Sequence, residues 1–92
     1  MRPRFPCRQL VARVAAHYGT SLKRLLQEST YGSEARNLAI WLAWQNSGVT
    51  LREIGSMFGG MDYSAVSQRI RRIRRRAETD KKLKRAIEML NV

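Results

Sequence analysis

The chemistry available to this chain is concentrated between residues 50 and 85. Six arginines fall in the eight positions from 69 to 76: Arg69, Arg71, Arg72, Arg74, Arg75 and Arg76. Just before them stand Tyr63, Ser64, Ala65, Ser67 and Gln68, with Asp62 at the head of the group. Guanidinium groups bind phosphate or carboxylate through a rigid fork of donors. Serine can donate to or accept from a base edge, glutamine can pair in bidentate fashion with adenine, and a tyrosine ring can contact a thymine methyl. Enzyme chemistry is poorly supplied. The chain has 1 His, 1 Cys and 7 carboxylates, with neither metal-ligand spacing nor a nucleophile beside a base, so it is read as not an enzyme, with no metal and no cofactor.

The overall balance supports an anionic partner. Lys plus Arg number 18 against 7 Asp plus Glu, a formal net charge of +11. The excess is uneven: residues 1 to 68 hold 8 basic and 4 acidic groups, giving +4, and residues 69 to 92 hold 10 and 3, giving +7. With 92 residues of which 43% are hydrophobic, one small core is expected, so residues 7–92 are read as a single domain preceded by a basic arm, residues 1–6, carrying Arg2 and Arg4. The longest apolar run, Leu38 to Trp44, is seven residues, far below the ~20 that cross a bilayer. No apolar stretch follows the N-terminal charges, so no secretory signal is read and a cytoplasmic location is expected. The lone Cys7 agrees, since one thiol cannot staple a fold.

The elements that must position these groups are all helical. Leu10, Val11, Val14, Ala15 and Tyr18 share one face of a first helix that stops at Gly19. Thr20 or Ser21 then caps a short second helix with Leu22, Leu25 and Leu26 inward. Gln27 to Ser33 reads as a loop without Lys or Arg. A third helix from about Glu34 to Ser47 is apolar nearly all round and belongs at the centre, with Trp41 and Trp44 read as core in preference to a stacking platform for bases. Thr50-Leu51-Arg52-Glu53 is a capping box, in which the Thr50 hydroxyl serves the Glu53 amide and the Glu53 carboxylate reaches back to Thr50. It starts a fourth helix, Leu51 to Phe58, ended by Gly59-Gly60.

Asp62 caps a fifth helix from Tyr63. At 100° per residue Val66, Ile70, Ile73 and Ala77 fall within about 60° of one another, with Ser64, Gln68, Arg71 and Arg75 opposite. One face is core and the other is free to read a partner. Thr79 or Asp80 caps a last helix with Leu83, Ile87 and Leu90 inside. A short helix, a glycine turn and a longer helix make a helix-turn-helix, and the expected fold is an all-α domain of about six helices around it.

The residues at this turn are also familiar as a set. Ala35-Arg36-Asn37, Thr50-Leu51-Arg52-Glu53-Ile54-Gly55 and Phe58-Gly59-Gly60-Met61-Asp62-Tyr63-Ser64-Ala65-Val66 resemble the C-terminal DNA-binding domain of the bacterial replication initiator DnaA. The resemblance implies a helix-turn-helix that binds replication-origin DNA, with phosphate contacts from the start of the third helix and a basic loop in the minor groove. In that family the turn reads Gly-Gly-Arg-Asp-His-Thr-Thr-Val, so Met61, Tyr63 and Ser64-Ala65 are departures, while Asp62 and Val66 are kept. The family's Arg-Gln pair appears as Arg36-Asn37, and its basic loop corresponds to residues 27 to 33. The form Tyr63-Ser64-Ala65-Val66-Ser67-Gln68 is similar to DnaA-like domains at the C-terminus of transposases associated with repetitive palindromic elements. A further resemblance, to the promoter-reading region of sigma factors, is weaker at the Gly59-Gly60-Met61-Asp62 turn.

The reading is sequence-preferring binding of double-stranded DNA with the helix from Tyr63 in the major groove. Tyr63, Ser64, Ala65, Ser67 and Gln68 are the base-contact candidates; Arg36, Asn37, Arg52, Arg71, Arg72 and Arg75 are the phosphate candidates; Thr50, Glu53 and Asp62 cap and orient the helices. Arg2 and Arg4 are offered as a minor-groove substitute for the loop. The partner is duplex DNA in a bacterial cytoplasm and nucleoid, with no membrane, and the chain is either a free-standing regulator or a domain whose parent has a further N-terminal domain. The rivals are the DNA-binding domain of a transposase or sigma-like regulator and, from another class, a basic module for RNA, acidic protein or anionic membrane.

Overall fold

The structure, a computed structural model, describes residues 7–27 and 34–90. The basic arm with Arg2 and Arg4 lies outside the described residues, as does the expected loop apart from Gln27, which closes the second helix. The six helices are α1 (Cys7–His17), α2 (Leu22–Gln27), α3 (Glu34–Ser47), α4 (Leu51–Met57), α5 (Tyr63–Ala77) and α6 (Lys81–Leu90). No strand occurs among the described residues.

Helix α3 is the axis of the fold. It packs against α1 on one side and α5 on another, and α4 closes against α5 to form the helix-turn-helix. Leu38, Ala39, Ile40, Leu42 and Ala43 of α3 are fully buried, together with Val11 and Val14 of α1, Ile54 of α4, Phe58 and Val66. A helix covered on most of its circumference needs this composition, because each buried apolar side chain contributes about 1.5–3 kcal/mol of transfer free energy. Helix α6 completes the core with Leu83, Ala86, Ile87 and Leu90.

Trp44 departs from the core placement expected of it. It is 40% exposed, while Trp41 is half-buried against the cluster. At 100° per residue Trp44, Trp41 and Gln45 span one arc of about 100°, and the exposure of Trp44 and Gln45 shows that no described helix covers that arc. Apolar residue type on a central helix predicts burial only where a neighbouring element arrives.

The helix ends follow local rules. Ser21, rather than Thr20, caps α2 by accepting the Arg24 amide at 3.2 Å. Asp80, rather than Thr79, caps α6 by accepting the Leu83 amide at 3.1 Å. Helix α4 is one residue shorter than expected, because Phe58 is its C-cap with its amide donating to Ile54. The far ends of four helices are tied by one polar chain. The Tyr18 hydroxyl donates to Glu34 at 2.7 Å, and Arg76 pairs with both Glu34 at 3.7 Å and Asp80 at 3.5 Å.

Candidate nucleic-acid interface

The turn between α4 and α5 is held by one carbonyl. Gly55 accepts the amides of both Gly60 and Met61, at 2.9 and 2.8 Å. This doubling back is possible because Gly59 and Gly60 adopt φ of 85° and 81°, the left-handed region open to glycine and strained for other residues. Gly55 itself lies inside α4, where glycine costs about 1 kcal/mol relative to alanine. Its lack of a side chain has a tertiary cause: a Cβ there would run into the Met61 carbonyl oxygen and meet a Val66 methyl at 3.4 Å. Sequence reasoning placed Gly55 in a motif but missed this packing role. An isolated glycine in a helical pattern is the signal that could have found it.

Two caps aim the helices on either side of this turn. The Thr50 hydroxyl accepts the Glu53 amide at 3.1 Å and also donates to the Glu53 carboxylate at 3.3 Å. The carboxylate therefore meets the Thr50 hydroxyl, where the capping-box pattern has it reach the Thr50 amide. At the head of α5, Asp62 has extended backbone and its carboxylate accepts the Ala65 amide at 2.8 Å. Its negative charge also complements the positive end of the helix macrodipole.

Beyond Asp62 the first two turns of α5 present Tyr63, Ser64 and Gln68 outward. Tyr63 is 60% exposed, Ser64 and Gln68 are exposed, and Ala65 and Ser67 are half-buried. Val66, Ile70 and Ile73 bury the opposite face, which fixes the rotation of the helix about its axis. Along the outward stripe Gln68, Arg71, Arg72 and Arg75 line a shallow groove of about 320 Å³. Arg52 is exposed on α4.

Two phosphate candidates lie elsewhere. Arg36 and Asn37, in the first turns of α3, are each only 8% exposed. The Arg36 Nη2 donates to the Phe58 carbonyl at 2.6 Å and to the Met61 sulfur at 3.9 Å, and its guanidinium stands 5.9 Å from the centre of the Phe58 ring. Burial draws the Arg36 pKa down, and the charge of Arg69 adds to that. Arg76 is engaged in the Glu34 and Asp80 ion pairs, while Asn37 and Arg72 line a second groove with Glu34, Ile73 and Arg76. The structure thus gathers Ser64, Gln68, Arg71, Arg72 and Arg75 on one face and turns Arg36 toward the interior.

The remaining reactive groups have structural partners. The Cys7 thiol donates to the Met57 sulfur at 3.5 Å, and burial pushes its pKa up, which disfavours the nucleophilic thiolate. Burial and the bond to Glu34 push the Tyr18 phenol well above its ordinary value. Among the described residues no three His, Cys, Asp or Glu side chains group as metal ligands. No described helix is long and apolar enough to cross a membrane.

Comparison with known proteins is consistent with this geometry. A family model described as the bacterial dnaA protein helix-turn-helix matches residues 7–73. Chromosomal replication initiator protein DnaA of Caulobacter vibrioides is 37% identical over 78 residues, which are 83% of this chain and 16% of that protein. The proteins of the same name from Brucella abortus and Brucella suis are 34% identical over 79 residues, 84% of this chain and again 16% of theirs. The chain therefore spans only a small part of the length of the curated relatives it matches. The match takes in α1 to α4 and most of α5, including the glycine turn and its caps: the chain belongs to the bacterial DnaA helix-turn-helix family.

Proposed function

We propose that this chain binds double-stranded DNA with sequence preference, laying the N-terminal end of α5 in the major groove. One observation carries the reading. A capped helix, rotated by its buried Val66, Ile70 and Ile73, presents Tyr63, Ser64 and Gln68 at its exposed start and Arg71, Arg72 and Arg75 further along. Short polar groups at a helix start suit base edges, and guanidinium groups behind them suit the flanking phosphates. Ala65 and Ser67, half-buried at the edge of this face, contact bases only if the helix enters the groove deeply. Arg52 adds a phosphate contact from α4. By kinship with the chromosomal replication initiators, the target is a site of the replication-origin type, bound in the bacterial nucleoid as one part of a longer protein.

The test is selection of bound sites from random duplex DNA at ~150 mM salt, where nonspecific affinity is suppressed. The expected result is enrichment of one short motif. Flat enrichment, or equal affinity for duplex RNA, overturns the reading.

A further inference from the structure

We infer that Arg36 is a positioning residue for the reading head: from α3 it clamps the turn that sets the angle between α4 and α5. The inference rests on the DNA-binding reading above and gives that face its rigidity. One guanidinium touches the turn at successive points. It donates to the carbonyl of Phe58, the C-cap of α4, at 2.6 Å, and to the Met61 sulfur at 3.9 Å, and it faces the Phe58 ring at 5.9 Å. Between those two residues lies Gly59, where a Cβ would stand 3.7 Å from the same Nη2. Phe58 is itself fully buried, so the clamp joins the turn to the central helix and not to a mobile surface.

The chemistry favours arginine for this task. A guanidinium divides its donors among separate nitrogens held in one rigid plane, so one nitrogen can hold a carbonyl while the delocalised charge stands near a ring. A lysine ammonium must serve every contact from a single nitrogen on a flexible stem. A charge that is 8% exposed and already bonded to a carbonyl is poorly placed to neutralise a phosphate. The role also has a consequence for α5: Met61 directly precedes Asp62, so whatever fixes Met61 fixes the cap that aims Tyr63, Ser64 and Gln68.

The test compares the full chain with Arg36→Gln and Arg36→Lys. Affinity for the selected duplex and for a scrambled duplex is measured across a salt series, and amide hydrogen exchange is measured on the free proteins. A positioning role predicts that both variants lose about tenfold in preference for the selected duplex, with the salt slope unchanged. It also predicts that the Gly60 and Met61 amides lose protection in both. A phosphate ligand gives the opposite pattern. Arg36→Gln then weakens both duplexes alike and lowers the slope by about 1, while Arg36→Lys keeps most of the affinity; that result overturns the inference. If neither variant folds, exchange in the unmodified chain decides. Gly60 and Met61 amides protected as well as the α3 core support the clamp, and exchange at the rate of exposed loop amides overturns it. The exchange result stands without DNA, so a flat site selection would remove the functional reading while leaving the clamp in place.

Discussion

The two halves of the α5 region differ in almost every physical respect. From Met61 to Gln68 the only charged side chain is Asp62, and the geometry is fixed by a cap, a buried face and the Gly55 carbonyl that gathers the turn. From Arg69 onward the charge is overwhelmingly positive, most side chains are exposed, and order comes from Ile70, Ile73 and the Arg76 ion pairs. In the proposed DNA complex the first half, with shape and little charge, is the part suited to discriminating among bases. The second, with charge and little base-specific chemistry, is in that complex the part suited to raising affinity for any duplex.

The largest expected effect breaks the two halves apart by salt. If six to eight cations each neutralise a phosphate, the slope of log K against log salt is about −5 to −7. Raising salt from 50 to 200 mM should then weaken binding by roughly 10³ to 10⁴ while changing base preference little. Filter binding or fluorescence anisotropy checks this, and a shallow slope would mean that α5 carries affinity through uncharged contacts.

Next in size is Gly55→Ala. The added methyl meets the Met61 carbonyl and Val66, so overpacking should cost about 2–3 kcal/mol in a denaturant melt. A neutral outcome would show that α4 and the turn can part without loss. Ser64→Ala and Arg71→Ala then sharpen the division of labour. The first should narrow the gap between preferred and scrambled duplex by about tenfold. The second should weaken both alike and take about 1 from the salt slope.

Asp62→Ala removes the cap of α5 and should lower stability by about 1 kcal/mol, with a further loss of base preference as the helix start frays. The smallest effects are in pH. The Tyr18 phenol is raised by burial and its bond to Glu34, so its contribution is complete below the ordinary tyrosine value of about 10 and declines as pH rises beyond it. Asp80 is held below its ordinary value chiefly by the Leu83 amide. Its contribution is complete above about pH 5 and declines as pH falls through the lowered value. Chemical denaturation at pH 7, 10.5 and 3.5 should show both losses. Tyr18→Phe should flatten only the alkaline one.

Much of this was legible along the chain. The boundaries of α3 and the start of α5 follow from stop and cap residues, and Val66, Ile70 and Ile73 are buried as their spacing predicts. These depend on interactions within one or two turns, which the linear order of residues contains. Arg36 was the opposite case. The family resemblance implies a phosphate ligand there, and the structure shows its side chain bonded to residues 22 and 25 positions away, Phe58 and Met61. Arg76 likewise reads as one more cation of a basic run and proves to be the link between α3 and the cap of α6.

The sequence by itself determined the order of the six helices, the caps at Thr50 and Asp62, the inward face of α5 and the division of charge between its two halves, because each is set by local bonding or helical period. Only the tertiary structure decided that Arg36 turns inward to the glycine turn, that Gly55 leaves room for Met61 and that Trp44 stays at the surface. Those outcomes depend on which helix arrives over which face, and residue type and period carry no information about the neighbour.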